Sequence, residues 1–122
     1  MRLPSSMALV AATLATIVSV SCTARMTPAA PVVTPAGVRF VMMRSEANSV
    51  ALAGSFNQWS PSSHALAREE SRGLWTIVVA LPPGEHAFMY VVDGTQWITP
   101  PLAEDYVDDG FGAKNGVVVV RP

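Results

Sequence analysis

Between residues 37 and 122 the apolar residues alternate with polar ones or run unbroken for the length of one strand. A period of two is typical of β-strands, and this region shows no convincing 3.6-residue period of an amphipathic helix. The most apolar segment, 74–81, is rich in β-branched residues, so we predict a strand that is either buried on both faces or central in its sheet. The pattern therefore predicts an all-β fold. The other predicted strands cover residues 38–42, 49–53, 64–68, 86–92, 97–98 and 117–120.

Turn residues separate these segments. The stretch Pro82-Pro83-Gly84 follows the most apolar segment, and Asp93-Gly94 is a hairpin signal that comes shortly before Trp97. Six or seven short strands in one small domain predict an antiparallel β-sandwich over residues 37–122.

The composition excludes several classes of function. The chain has 122 residues with 8 Lys+Arg and 9 Asp+Glu, so it has no excess of basic residues for binding nucleic acid. A single cysteine excludes an internal disulfide framework, and two histidines, His64 and His86, leave little for a zinc site. We therefore expect no nucleic-acid partner, no cofactor and no metal ion.

Acidic residues gather between positions 104 and 109, and clustered carboxylates invite a calcium hypothesis. Their spacing lacks the alternating ligand pattern of an EF-hand loop, so a solvated acidic loop is the better interpretation. Hydrolysis of a glycoside needs two carboxyl groups at a defined separation in a cleft, which this pattern does not predict. We expect no catalytic residue and no enzymatic activity.

The N-terminal residues are typical of an export signal. Arg2 precedes an uncharged apolar run over 7–20, which is shorter than the roughly 20 residues that a membrane-spanning helix needs. We predict a signal peptide over residues 1–21 and export from the cytoplasm.

The segment Val18-Ser19-Val20-Ser21-Cys22 resembles a bacterial lipobox, which implies lipidation of Cys22 and attachment to the cell envelope through a lipid anchor. The alternative is cleavage after Ala24, which would leave a secreted or periplasmic protein. Residues 22–36 are rich in Pro, Ala and Thr and predict a semi-extended tether.

A series of motifs in the second half of the chain carries a family resemblance. The motifs are Gly54-Ser55-Phe56-Asn57-Gln58-Trp59, Trp75, Leu81-Pro82-Pro83-Gly84-Glu85-His86, Tyr90-Val91-Val92-Asp93-Gly94, Trp97, Asp109-Gly110-Phe111-Gly112 and Asn115. In this order and spacing they resemble carbohydrate-binding module family 48. That family contains the early-set domains of isoamylase and glycogen-branching enzymes and the glycogen-binding domain of the AMP-activated protein kinase β subunit. The resemblance implies an immunoglobulin-like (early-set) antiparallel β-sandwich.

The resemblance also implies a set of carbohydrate-binding residues. Trp59 and Trp97 would stack on the sugar, Phe111 would insert against it, and the amide of Asn115 would bond its hydroxyls. Met89 stands at the position where the kinase subunit has a sugar-binding lysine, and Ala113 stands where it has a threonine. The implied function is a non-catalytic α-glucan-binding module.

The residues themselves support part of this interpretation. Trp59 lies in a loop rich in turn residues, where strand alternation cannot bury it, and exposed rings in loops usually contact a ligand or partner. The alternative is that Trp59 and Trp97 fold back and cap the sandwich. Trp75 opens the most apolar strand and is expected in the core, and Asn57 is expected to bond the loop backbone.

Two functions from different classes therefore stay open at this point. The first is α-glucan binding at the cell envelope. The second is an immunoglobulin-like domain that binds an envelope protein and no sugar, because a β-sandwich by itself does not determine a function.

Overall fold

The computed structural model describes residues 12–18, 28–69 and 73–122, and in these ranges it contains nine β-strands and no helix. The strands are β1 (Val32–Thr34), β2 (Gly37–Met43), β3 (Val50–Gly54), β4 (Ala67–Glu69), β5 (Leu74–Val79), β6 (Gly84–Val92), β7 (Gln96–Ile98), β8 (Asp105–Asp108) and β9 (Lys114–Val120).

The strands form two antiparallel sheets. The first sheet has the order β1-β2-β5-β4, and the second has the order β3-β6-β9-β8, with β7 also pairing with β6. Both sheets contribute side chains to one core, so the fold is a β-sandwich. The prediction of an all-β, immunoglobulin-like early-set sandwich is confirmed.

The core lies between the sheets and is built from alternate residues of their strands. Phe40 of β2 packs edge-on against Phe88 of β6 with ring centroids 5.0 Å apart, and Phe88 packs against Tyr90 at 5.7 Å. All three rings are at most 1% exposed, which follows from the period of two that the sequence shows.

Strand β5 matches one of the two alternatives predicted for the segment 74–81. It is an inner strand of its sheet, as expected, but only one of its faces is buried. Trp75 is 6% exposed and faces the core, whereas Val78 is 49% exposed on the outer face. The second alternative, a central strand, is therefore the one that the structure has, and the outer face stays exposed because no second layer of the described chain covers that side of the sheet.

Two short edge strands lie where the sequence predicted irregular chain. Val32–Thr34 falls within the predicted tether, yet it pairs with the start of β2, and the Thr34 hydroxyl donates to the Gly37 carbonyl at 2.6 Å. Asp105–Asp108 falls within the predicted acidic loop, yet it pairs with β9. Strands of three or four residues depend on a neighbour for their hydrogen bonds, so local sequence indicates them poorly.

The predicted lipidation site, Cys22, lies outside the described residues, as do most of the predicted signal peptide and part of the predicted tether. Residues 12–18 are described and form neither helix nor strand. Within the described ranges, no helix has the length and apolar character that crossing a membrane requires.

Candidate functional site

The outer face of the second sheet carries a set of buried apolar residues that do not belong to the core. Phe88 and Tyr90 of β6 point inwards, so Met89 and Val91 between them point outwards. Directly opposite Val91 on β7 is Trp97, which therefore shares this outer face. Met89 is 7% exposed and Val91 is fully buried, so other parts of the chain cover this side of the sheet.

A pocket of about 370 Å³ opens on this face. Its six lining residues are Trp59, Met89, Trp97, Asp109, Phe111 and Asn115. All five residues that the family resemblance implies are therefore brought together in one place. Asp109 completes the set, although the sequence analysis placed it in a solvated acidic loop and in a resemblance motif without assigning it a role in binding. Its position directly before Gly110-Phe111-Gly112 was the available signal, because Asp often accepts hydrogen bonds from backbone amides two residues on.

Trp59 is carried by the turn that follows β3. Gln58 and Trp59 both adopt left-handed backbone conformations, with φ of 56° and 58°, which are uncommon for residues other than glycine. The Trp59 amide donates to the Gly54 carbonyl at 2.9 Å, so the turn closes back on the end of the strand. The ring is half-buried, which leaves part of it open to a ligand.

Asn57 holds this turn from within. Its Oδ1 accepts a hydrogen bond from the Gly54 amide at 3.0 Å, and its Nδ2 donates to the Leu52 carbonyl at 2.9 Å. Asn57 is 5% exposed, so these are buried hydrogen bonds. The expectation that Asn57 bonds the loop backbone is confirmed.

Trp97 is carried by the predicted hairpin between β6 and β7. Asp93 and Gly94 both have positive φ, 53° and 73°, as a tight hairpin turn requires. The Asp93 carboxylate also accepts a hydrogen bond from the backbone amide of Asn48 at 2.7 Å. This bond connects the hairpin to the segment before β3. Trp97 is 45% exposed. Even if Trp97 also caps the sandwich, almost half of the surface of its side chain stays open to solvent.

Phe111 lies at the tip of the loop between β8 and β9. Gly110 and Gly112 on either side have φ of 84° and 93°, and Phe111 itself is 94% exposed. Asp109 closes this loop, because its Oδ1 accepts the Phe111 amide at 2.6 Å and the Ala113 amide at 3.1 Å. A large apolar ring is thus held in solvent at the rim of the pocket.

The chemistry of the six lining residues suits a ligand that has both apolar faces and hydroxyl groups. Three aromatic rings offer stacking surfaces, and the Asn115 amide and Asp109 carboxylate offer hydrogen-bond partners. The side chain of Met89 contributes no hydrogen-bond donor. Asp109 is the one titratable group among the six, so the pocket holds no pair of carboxyl groups for acid–base chemistry.

A second open cleft, of about 410 Å³, lies at the β1–β2 turn and the end of β5. Its lining includes Pro35, Leu81 and Val120 and contains no aromatic or charged side chain. Its one polar side chain, the hydroxyl of Thr34, already donates to the Gly37 carbonyl.

Both histidines make structural contacts. Nδ1 of His64 lies 2.9 Å from the side-chain amide nitrogen of Asn57. Nε2 of His86 donates a hydrogen bond to the Pro82 carbonyl at 2.7 Å. In the part of the chain that the structure describes, no three His, Cys, Asp or Glu side chains come together as a metal-binding group. Trp75 lies in the core as expected, and its indole Nε1 donates to the Arg44 carbonyl at 2.9 Å.

Curated relatives share the region that forms the sandwich. The 5'-AMP-activated protein kinase subunit beta-1 of Sus scrofa is 36% identical over 72 residues, which are 59% of this chain and 54% of the pig protein. The human subunit beta-1 is also 36% identical over 72 residues, 24% of its length. The 1,4-alpha-glucan branching enzyme GlgB of Pseudomonas syringae pv. syringae is 37% identical over 65 residues, 52% of this chain and 9% of the enzyme.

The chain thus spans about half or less of the length of these relatives. The family model described as the glycogen recognition site of AMP-activated protein kinase matches residues 38–122, the whole sandwich apart from β1 and the first residue of β2. Membership of such a family supports a carbohydrate-binding function. On this match, the chain belongs to the family of glycogen recognition domains of AMP-activated protein kinase.

Proposed function

We propose that this protein is a non-catalytic module that binds α-glucans such as glycogen, starch or maltodextrin in the pocket on the outer face of the second sheet. The observation that carries the proposal is the convergence of Trp59, Trp97 and Phe111 on one pocket, from three separate loops or hairpins. Family membership and the name of one relative, a 1,4-alpha-glucan branching enzyme, agree with it.

The binding energy would come mainly from stacking. The C–H faces of glucose units are apolar and match the faces of indole and phenyl rings, while the ring hydroxyls need polar partners. Among the lining residues that are not aromatic, Asn115 and Asp109 have side chains that can form hydrogen bonds with these hydroxyls, and Met89 has none. Stacking at about 1 kcal/mol per ring with few polar contacts favours dissociation constants in the micromolar to millimolar range.

Affinity electrophoresis of the purified protein in gels with and without glycogen tests the proposal. We expect glycogen to retard the wild-type protein and not the Trp59→Ala/Trp97→Ala double variant. Val78→Ala is a matched control, because Val78 is an exposed apolar residue on the outer face of the other sheet. It should migrate like the wild type in both gels.

Equal mobility of the wild-type protein with and without glycogen would contradict glucan binding. The second interpretation from the sequence, a surface that binds an envelope protein, would then be the one to pursue. Retardation of both wild type and double variant would place the glucan site elsewhere.

We propose further that the protein is exported and lipidated at Cys22. The support is in the sequence alone: a short apolar run over 7–20 and small residues that lead into the one cysteine of the chain. Mass spectrometry of protein from a bacterial membrane fraction should find acyl chains on an N-terminal Cys22. In the Cys22→Ser variant this modification should be lost, and a soluble wild-type protein that begins after Ala24 would contradict the proposal.

A further inference from the structure

Asp109 is part of a motif that carries the family resemblance, but the resemblance assigns it no role in binding. Its carboxylate lines the same pocket as the three aromatic rings, yet its Oδ1 is already engaged within the chain. That oxygen accepts the amide of Phe111 at 2.6 Å and the amide of Ala113 at 3.1 Å. The Asp109 amide in turn donates to the Ala113 carbonyl at 3.1 Å. Asp109 thus closes the five-residue loop 109–113 through hydrogen bonds of both its backbone and its side chain.

This closure matters because little else restrains the tip of the loop. Gly110 and Gly112 flank Phe111, and a Cβ added to either would meet no atom within 4 Å. Phe111 is 94% exposed, so its ring gains almost no burial in the free protein. Glycine on both sides gives an open chain many conformations, and a ring in such a chain would have to be ordered when a ligand binds.

We propose that Asp109 is a positioning residue that holds the Phe111 ring at the rim of the pocket before a ligand arrives. The inference rests on the proposed function, because the pocket and its ligand are those described above. The side chain acts through the backbone amides of Phe111 and Ala113, and preorganisation of the ring lowers the entropic cost of binding.

A direct hydrogen bond from Asp109 to a sugar hydroxyl would be a different role, and the Asn variant separates the two. Asparagine keeps an Oδ1 that accepts from backbone amides in the same loop geometry, but it removes the negative charge. Asp109→Asn should therefore preserve the loop and the affinity if positioning is the role. Asp109→Ala removes the acceptor altogether and should lose both.

The experiment combines two measurements on the purified full-length protein and its variants. Amide proton shifts and hydrogen exchange at Phe111 and Ala113 report the loop in the absence of ligand. Titration with maltoheptaose gives the dissociation constant. Asp108→Ala is the matched control, since it removes the same charge one residue away on β8 and that carboxylate makes no hydrogen bond with the described residues. Amide signals of β6 show whether each variant is folded.

For Asp109→Ala we expect the Phe111 and Ala113 amides to exchange about tenfold faster and the maltoheptaose affinity to fall about 3- to 10-fold. Asp109→Asn and Asp108→Ala should stay within twofold of the wild type in both measurements. An Asp109→Ala variant with unchanged exchange overturns the closure of the loop. Faster exchange with unchanged affinity overturns the positioning role, and loss of affinity in Asp109→Asn with an intact loop assigns Asp109 to direct contact instead.

The exchange measurement also distinguishes failure of the glucan-binding proposal from failure of the proposal that Asp109 positions Phe111. A wild-type protein that binds no maltoheptaose, but whose Phe111 and Ala113 amides depend on Asp109, would overturn the glucan proposal and support the closed loop.

Discussion

Nδ2 of Asn57 lies 2.9 Å from Nδ1 of His64, and the orientation of the amide determines which atom donates. The Gly54 amide donates to Oδ1 of Asn57, and the Leu52 carbonyl accepts from Nδ2, so the nitrogen of the amide faces the histidine. Nδ1 of His64 must then be the acceptor and carry no proton. In this arrangement the proton of the His64 ring lies on Nε2, and the ring accepts a hydrogen bond from the residue that holds the Trp59 turn.

The first prediction concerns this tautomer. Long-range ¹H–¹⁵N correlation spectra of the protein near pH 8 should show His64 with a protonated Nε2 and an unprotonated Nδ1. The Asn57→Ala variant should lose this preference, because the donor to Nδ1 is gone. A wild-type protein with the proton on Nδ1 would contradict the hydrogen-bond assignment.

The second prediction is the cost of losing the Asn57 side chain. Asn57→Ala leaves the buried Gly54 amide and Leu52 carbonyl without this partner, so we expect the free energy of unfolding to fall by about 2–4 kcal/mol. Asn48→Ala is the control, because Asn48 is exposed and its side chain makes no hydrogen bond with the described residues; it should change stability by less than about 0.5 kcal/mol. Urea denaturation of both variants measures the difference, and similar values for the two would contradict the role of Asn57.

The third prediction concerns alkaline pH. Burial raises the pKa of the Tyr90 phenol well above its ordinary value of 10.0, and its neutral hydroxyl donates a hydrogen bond to the Val41 carbonyl. Above pH 10 the unfolded chain loses this proton and the folded chain keeps it. The stability that a neutral Tyr90 contributes is therefore complete below pH 10 and is lost as the pH rises towards the folded-state pKa.

Tyr90→Phe tests this dependence. At neutral pH we expect a loss of about 1 kcal/mol for the missing hydrogen bond. Between pH 10 and 12, the stability of the wild-type protein should fall more steeply than that of the variant, by up to about 1.4 kcal/mol per pH unit. Urea denaturation at several pH values measures both slopes, and equal slopes would show that Tyr90 ionises alike in the folded and unfolded chains.

The fourth prediction concerns close packing beneath the Trp59 turn. A Cβ on Gly54 would collide with the Phe56 ring and lie 2.6 Å from the Ala87 carbonyl oxygen, which belongs to the backbone of β6. Gly54→Ala should therefore cost about 3 kcal/mol of stability. Gly94→Ala, where a Cβ meets no atom within 4 Å and only the positive φ of 73° is unfavourable, should cost about 1 kcal/mol. Thermal unfolding with the reverse order of stability would contradict this account.

The fifth prediction follows from the missing polar group at Met89. A lysine at this position would add a charged donor to the pocket, and its long side chain can place the ammonium group in the opening while its stem stays buried. If the pocket binds α-glucan, Met89→Lys should strengthen maltoheptaose binding about 3- to 10-fold by calorimetry. Met89→Leu conserves the apolar lining and should have little effect. A folded Met89→Lys protein with weaker maltoheptaose binding would contradict a place for the sugar hydroxyls beside residue 89.

Several features of the fold could be predicted because they depend on local pattern. The alternation of Val38, Phe40 and Met42 predicted which side of β2 is buried, and Asp93-Gly94 predicted the hairpin that carries Trp97. Both signals work at short range, since side chains alternate along a strand and a tight turn needs residues that tolerate positive φ. Trp59, Trp97, Phe111, Asn115 and Met89 were identified through the family resemblance, and their role in binding stays a prediction.

Other features could not be predicted because they depend on partners distant in the chain. Val32–Thr34 forms a strand only because β2 supplies its hydrogen bonds, and the outer face of β5 is exposed only because no further layer covers it. The contact between Asn57 and His64 and the closure of the Phe111 loop by Asp109 were not expected from residue type alone.

The sequence by itself determined that residues 37–122 form an antiparallel β-sandwich, because the period of two and the turn residues leave few other ways to bury so many apolar side chains. Only the tertiary structure decided that three aromatic rings from distant loops share one pocket, and that Asp109 belongs to it. The physical reason is that strand pairing sets the register between β6, β7 and β9, and register determines which side chains share a face.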